Sequence, residues 1–183
     1  MRIALTGSIA CGKSLFAKFL RELGVQTLDA DDIVHELIPA EERRRLAPIV
    51  FADPVARKAL EARIHPLVRE RFDAWFASQP SQPSQTSQTP ILKLAIIPLL
   101  FECNWDADYD IIICISSPAE EQIRRMVETR GLTREAAEAR LNAQLPVSEK
   151  AARSHYVVVN DSTVEHLREE AVRCVEWLRS RQS

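Results

Sequence analysis

Gly7 and Gly12 frame the segment Gly7-Ser8-Ile9-Ala10-Cys11-Gly12-Lys13-Ser14, in which the second glycine is followed at once by a lysine and a hydroxyl. The spacing fits G-x-x-x-x-G-K-[ST], the pattern of a phosphate-binding loop, or P-loop. Each residue type has a physical task. The glycines let successive backbone N–H groups turn inward as an anion nest, and the start of the following helix adds partial positive charge. Lys13 reaches the β- and γ-phosphates of a nucleoside triphosphate, and the Ser14 hydroxyl can ligate Mg²⁺. The pair stands out because the chain has only four glycines, Gly7, Gly12, Gly24 and Gly131, where average usage would place about a dozen. Ser8 and Ala10 lack glycine's freedom, so both are expected at negative φ. Cys11 has two readings. It is either an oxidation-sensitive thiol of lowered pKa beside Lys13 at a helix N-terminus, or the occupant of a small-residue slot.

A phosphate cradle does not say where the phosphate goes. No Asn-Lys-x-Asp guanine signature follows, which excludes the usual GTPase. Asp29 and Asp31 come directly after a second short strand, at the sheet edge where open α/β proteins bind ligands. Two carboxylates there can serve as base for an acceptor hydroxyl and as ligand to Mg²⁺ or water. The structural alternative is that one of them N-caps the helix beginning near Asp32. Asp31 is taken as the base. An Arg-rich helix pair near Arg124–Arg140 suits a mobile lid that brings arginines onto a transferring phosphate. This is the layout of a small-molecule kinase, whose competitors are a kinase for another small alcohol or nucleotide and a nucleotide-binding protein without transfer.

The elements needed to position these groups alternate along the chain. Arg2–Leu5, Val25–Leu28, Ile91–Ile97, Asp110–Ile115 and Tyr156–Val159 read as strands, the third and fourth as runs buried on both faces of a parallel sheet. Ser14–Leu23 has helical spacing and Gly24 as its C-cap. Glu36 to about Ala77 is helical, and Pro39, Pro48, Pro54 and Pro66 are expected to divide it into short helices. Ser78–Pro90, a Ser/Gln/Pro/Thr tract, reads as a flexible surface loop. Pro118 is expected in the first turn of a helix to Glu128, Thr133–Leu145 forms another, and Ser162 with Glu165 opens a last one to about Arg181. The expected architecture is α/β: a three-layer α/β/α P-loop fold with a five-stranded parallel sheet, an inserted helical acceptor lobe and a helical lid. The core takes about 1–35, 91–118 and 155–183, the lobe 36–77 and the lid 124–150 of a single domain.

Composition narrows the classes further. With 183 residues, 46% hydrophobic and 27% charged, the chain suits one globular core with a small lobe. A net charge of −2 argues against a general nucleic-acid binder. The stretch Arg43–Arg71 is nevertheless basic, either a solvated helix face or a patch that meets phosphates. Cys11, Cys103, Cys114 and Cys174 are widely spaced and read as reduced cytosolic thiols. The longest apolar run, Ile91–Phe101, contains Lys93 and Pro98 and falls short of the roughly 20 residues of a membrane span. A cytoplasmic protein without nucleic-acid or membrane partners is expected.

Together these segments resemble the dephospho-coenzyme A kinase family. The resemblance runs through ALTGSIACGKS, Asp29-Ala30-Asp31, His35-Glu36-Leu37, Ile64-His65-Pro66 with Val68-Arg69, Pro98-Leu99-Leu100-Phe101-Glu102, Gly131 through Arg140 and Gln144, and Asn160. It implies transfer of the γ-phosphoryl group of ATP, with Mg²⁺, to the ribose 3′-hydroxyl of dephospho-coenzyme A. By the same resemblance Asp31 accepts the hydroxyl proton and Ala10, Cys11, Gly12, Lys13, Ser14 and Leu15 bind the nucleotide. Asp29, His65, Pro66 and Arg69 line the acceptor side, and Arg140 is the lid arginine that acts with Lys13. Ser8, Ala10 and Cys11 stand where relatives usually carry Gly, Gly and Ser, and the stretch between Glu36 and Glu42 is shorter than theirs. A monomer is expected.

Overall fold

In chain order the elements are β1 (Ile3–Thr6), α1 (Lys13–Glu22), β2 (Gln26–Asp29), α2 (Ala30–Leu37), α3 (Ala40–Ala52) and α4 (Pro54–Ala77). Then follow β3 (Lys93–Ile96), β4 (Ile111–Ser116), α5 (Ala119–Arg130), α6 (Arg134–Asn142), α7 (Val147–Ala152), β5 (Tyr156–Val159) and α8 (Val164–Arg179). The computed structural model describes residues 1–78 and 91–181, so the surface-loop expectation for Ser78–Pro90 lies outside the described residues except at Ser78. All five expected strands form, each within two residues of its expected bounds, in one sheet of order β2-β3-β1-β4-β5. Pairing is parallel: Ile3 stands opposite Leu94 on one side and Ile111 on the other, and Ile113 stands opposite Tyr156.

The apolar runs are continuous because both faces of the sheet are covered. Ile3, Leu5, Leu94, Ile96, Ile113 and Ile115 pack in one cluster with Phe16 and Leu20 of α1 and Leu167, Cys174 and Leu178 of α8. Ala4, Ala95, Ile112 and Cys114, the alternate positions, are buried as well. In α1 the buried residues are Phe16, Ala17, Phe19 and Leu20, one stripe of the helix. After the C-cap Leu23 comes Gly24 at φ +86°, the left-handed turn that the glycine was expected to supply.

Two compact units divide the chain, one of Met1–Thr27 with Pro90–Ser183 and the other of Leu28–Thr89. Within the second, α2 and α3 both pack on α4. Arg63 of α4 pairs with Glu42 of α3 at 3.3 Å, and Arg71 of α4 with Glu36 of α2. The expectation that four prolines break this region is half right. Pro39 and Pro54 do sit at helix starts, but Pro48 lies inside α3 and Pro66 inside the 24-residue α4. A proline in a helix interior costs about 3 kcal/mol. The buried Ile64, Val68 and Phe72, at about 1.5–3 kcal/mol each, outweigh it.

Three smaller corrections concern two helix ends and one short helix. Pro118 is the N-cap of α5, not a first-turn residue. The cap of α8 is Thr163, whose hydroxyl accepts from the His166 N–H at 3.2 Å, in place of the expected Ser162. α7 was not foreseen, being six residues long between Pro146 and Arg153, too short for a periodic signal. Among the described residues no helix is long and apolar enough to cross a membrane.

Candidate active site

β1 is the middle strand of the sheet, and the glycine segment leaves its C-terminal end to become α1. Close approach explains both glycines. A Cβ on Gly7, at φ +141°, would lie 2.4 Å from the Ile115 carbonyl oxygen and 2.8 Å from Cys11 Sγ. A Cβ on Gly12, at φ +98°, would lie 2.2 Å from Asn160 Nδ2. Asn160 fills that space to donate its amide to the Cys11 carbonyl at 2.9 Å.

Ala10 departs from expectation. Ser8 has negative φ as anticipated, but Ala10 is left-handed at φ +57°. A left-handed alanine is strained by about 1–2 kcal/mol. The loop has to reverse there all the same, and neighbours hold the reversal. Cys11 N–H closes on the Ser8 carbonyl at 3.4 Å, and Arg125 donates to the Ala10 carbonyl at 3.3 Å.

Lys13 spans the loop, its ammonium donating to the carbonyls of Gly7 and Ser8, both at 2.7 Å, with Cys11 Sγ at 3.7 Å. Cys11 is fully buried in the cluster beneath the loop, a position that suits the small-residue reading over that of an accessible thiol. Burial pushes the Cys114 and Cys174 thiols up to about 12, aided by Cys11 beside the first and Glu170 beside the second. Ser14 is exposed in the first turn of α1.

Arg125 was missed as a site residue. On α5 it lies between the buried Gln122 and Met126, and its guanidinium donates to the Ala10 carbonyl, Ser117 Oγ and the Asn160 carbonyl, each at 3.3 Å. An arginine within an otherwise inward stripe was the available sign. Beside it Gly12, Leu15, Arg125, Asn160, Val164 and Leu167 line a cavity of about 200 Å³ that adjoins the loop. The other arginines of the expected lid differ in their engagement. Arg124 binds Glu121 and Glu128 at 2.8 and 2.7 Å. Arg134 binds Glu120 and Glu138 at 2.7 and 2.8 Å, and its hydrogen bond holds the Glu120 carboxyl below the usual range. Arg140, exposed in the last turn of α6, makes no ion pair among the described residues.

The remaining expected residues lie in the second unit or at its edge. Asp29 ends β2 and N-caps α2, its Oδ1 accepting from the Asp31 N–H at 2.9 Å. Asp31 is exposed in the first turn of that helix, and its carboxylate makes no hydrogen bond or ion pair among the described residues. The capping alternative therefore holds for Asp29, and Asp31 takes no part in it as an acceptor. His65, Pro66 and Arg69 follow one another along α4, where His65 is half-buried and Arg69 exposed.

A glycine-framed amide nest at the tip of the middle strand, crossed by a lysine and continued by a helix, defines a P-loop nucleotide-binding enzyme of three-layer α/β architecture. The family model for dephospho-CoA kinase matches residues 1–43 and 40–166, and the junction falls in the shortened stretch. A dephospho-CoA kinase from Symbiobacterium thermophilum is 36% identical over 188 residues, covering 91% of this chain and 76% of its own. The solved structure of TT1252 from Thermus thermophilus superposes with a TM-score of 0.78 at 33% identity, over 96% of this chain and 95% of that one. Dephospho-CoA kinase from Campylobacter jejuni gives 0.70 at 25% identity, over 100% and 98%. This chain belongs to the dephospho-CoA kinase family, enzymes of ATP-dependent phosphorylation of dephospho-CoA in coenzyme A biosynthesis.

Proposed function

We propose that the chain transfers the γ-phosphoryl group of ATP to the ribose 3′-hydroxyl of dephospho-CoA, with the loop Gly7–Ser14 holding the donor and Asp31 accepting the hydroxyl proton. The observation that carries the donor half is the nest itself, whose two glycines have no room for a side chain and whose lysine already bridges its mouth. Phosphate oxygens would replace the Gly7 and Ser8 carbonyls as partners of the Lys13 ammonium. Ala10, Cys11, Gly12, Ser14 and Leu15 supply backbone amides around the phosphates, and the cavity beside Arg125 and Asn160 suits the base of the nucleotide.

On the acceptor side, the Asp31 carboxylate, which has no partner among the described residues, supports its reading as base. Asp29 fixes the helix turn from which Asp31 projects, and His65, Pro66 and Arg69 are assigned to acceptor binding. In the reaction the hydroxyl oxygen forms a bond to the γ-phosphorus while the bond to the β–γ bridging oxygen breaks. The hydroxyl proton passes to Asp31, and ADP leaves. Arg140, without an ion pair among the described residues, would meet the charge on the transferring group.

The residues also fit Mg²⁺. Among the described residues no group of three or more Asp, Glu, His or Cys side chains is placed to hold a metal ion, and Mg²⁺ commonly takes few protein oxygens, the rest coming from substrate phosphates and water. Ser14, exposed beside the nest, is the hydroxyl that would hold it, and the ion would neutralise charge on the phosphates. A coupled ADP-release assay with ATP, with and without dephospho-CoA, tests the function. Asp31→Asn is expected to lower kcat by about 10²–10⁴-fold with little change in KM for ATP. Unchanged turnover in that variant removes Asp31 as the base, and absence of acceptor-dependent ADP from the unaltered chain would leave a protein that only binds nucleotide.

A further inference from the structure

Gln144 lies just beyond α6, its own N–H closing on the Leu141 carbonyl at 3.2 Å. Its side-chain carbonyl accepts from the Ile9 N–H of the phosphate loop at 2.9 Å. The next amide, Leu145 N–H, donates to Glu102 Oε1 at 3.1 Å. The same Glu102 oxygen is 2.7 Å from Nζ of the fully buried Lys150, which also donates to the Pro98 carbonyl at 2.9 Å. Thr6, the last residue of β1, donates to that Pro98 carbonyl at 3.3 Å. Two consecutive residues thus tie the end of α6 to the phosphate loop on one side and to the chain beyond β3 on the other. Arg140 stands four residues before Gln144, in the last turn of α6.

We infer that Gln144 is a positioning residue for phosphoryl transfer: through the Ile9 N–H it fastens the last turn of α6 to the phosphate loop and so sets where Arg140 stands. The inference rests on the proposed role of Arg140. A neutral amide suits this position, because it satisfies a loop N–H without adding negative charge beside the phosphates. Glu102, Lys150 and Pro98 form the second anchor. With both anchors in place, the arginine's swing is confined to its own side chain.

The test is steady-state kinetics on the full chain with ATP and dephospho-CoA, with a thermal melt of every variant. Gln144→Met keeps the length of the side chain and removes the acceptor. It is expected to lower kcat about tenfold and to leave KM for ATP within about twofold, since small misplacements of a catalytic group act on the transition state. Gln144→Ala should do the same. Gln144→Met combined with Arg140→Ala should fall within about twofold of Arg140→Ala alone, because no arginine remains to be placed. Wild-type kcat in Gln144→Met with an impaired Arg140→Ala overturns the inference alone. Losses that multiply in the double variant, or a raised KM with unchanged kcat, do so as well. Arg140→Ala with wild-type kcat overturns the role of Arg140 and this inference with it.

Discussion

The phosphate loop and the end of α6 both present cations, but in opposite conditions. Lys13 and Arg125 are held by fixed acceptors, the first by the Gly7 and Ser8 carbonyls and the second by Ala10, Ser117 and Asn160. Arg140 is exposed and unpaired among the described residues. A group already aimed needs little reorganisation when charge arrives. A free arginine has to be ordered first, at up to about 2 kcal/mol of rotamer entropy, and contributes only once the substrate supplies a partner. With the roles proposed above, the first arrangement would make a donor site that exists before ATP binds, and the second a contact reserved for the loaded enzyme.

The difference between held and exposed cations turns most directly on Lys13. Lys13→Ala should lower kcat/KM by about 10²–10³-fold in the ADP-release assay, because a preorganised charge is removed; a loss under tenfold would mean that the loop does not depend on it. Next in size, Arg140→Ala should reduce kcat by about 10²-fold while the melting temperature stays put. Its control is Arg134→Ala, whose guanidinium sits between two exposed carboxylates, where such pairs contribute about 0–1 kcal/mol and activity should be unaffected.

The packed core beneath the loop also carries a pH signature. Cys114 and Cys174 keep their protons up to about 12 in the folded chain, against an ordinary 9.0. Above pH 9 the unfolded chain loses those protons while the folded chain retains them, so stability should fall from pH 9 upward and be unaffected by these groups below it. Denaturant melts from pH 8 to 11 measure the slope, and Cys174→Ala should flatten it; an unchanged slope would show that the buried thiol is not responsible. The smallest expected effect is at Ala10. Ala10→Gly relieves the left-handed strain but loosens the unfolded chain, for a net gain of about 0.5–1 kcal/mol in the same melts. Destabilisation there would mean that the methyl group packs usefully against α5 and α6.

Most of the fold was legible because burial on both faces of the sheet writes continuous β-branched runs, and helix stripes such as Phe16-Ala17-Phe19-Leu20 write their own period. The loop was legible because its glycine spacing is contiguous in the chain. What escaped depends on contacts between distant segments. Pro66 inside α4 looks like a break until Ile64, Val68 and Phe72 are seen to be buried around it. Ala10 looks ordinary until Arg125, 115 positions away, is found on its carbonyl. Nearer at hand, the capping residue of α2 was open until the Asp31 N–H was found on the Asp29 carboxylate.

The sequence by itself determined the P-loop, the alternation of strands and helices, the parallel sheet and the family, since each is carried by residues close in the chain or by periodic burial. Only the tertiary structure decided the strand order, which carboxylate caps the helix, and which cations are already held when ATP arrives. The strand order and the hold on Arg125 depend on hydrogen bonds between groups scores of residues apart, and the cap and the Lys13 contacts on a choice among near neighbours that look alike until folding selects one.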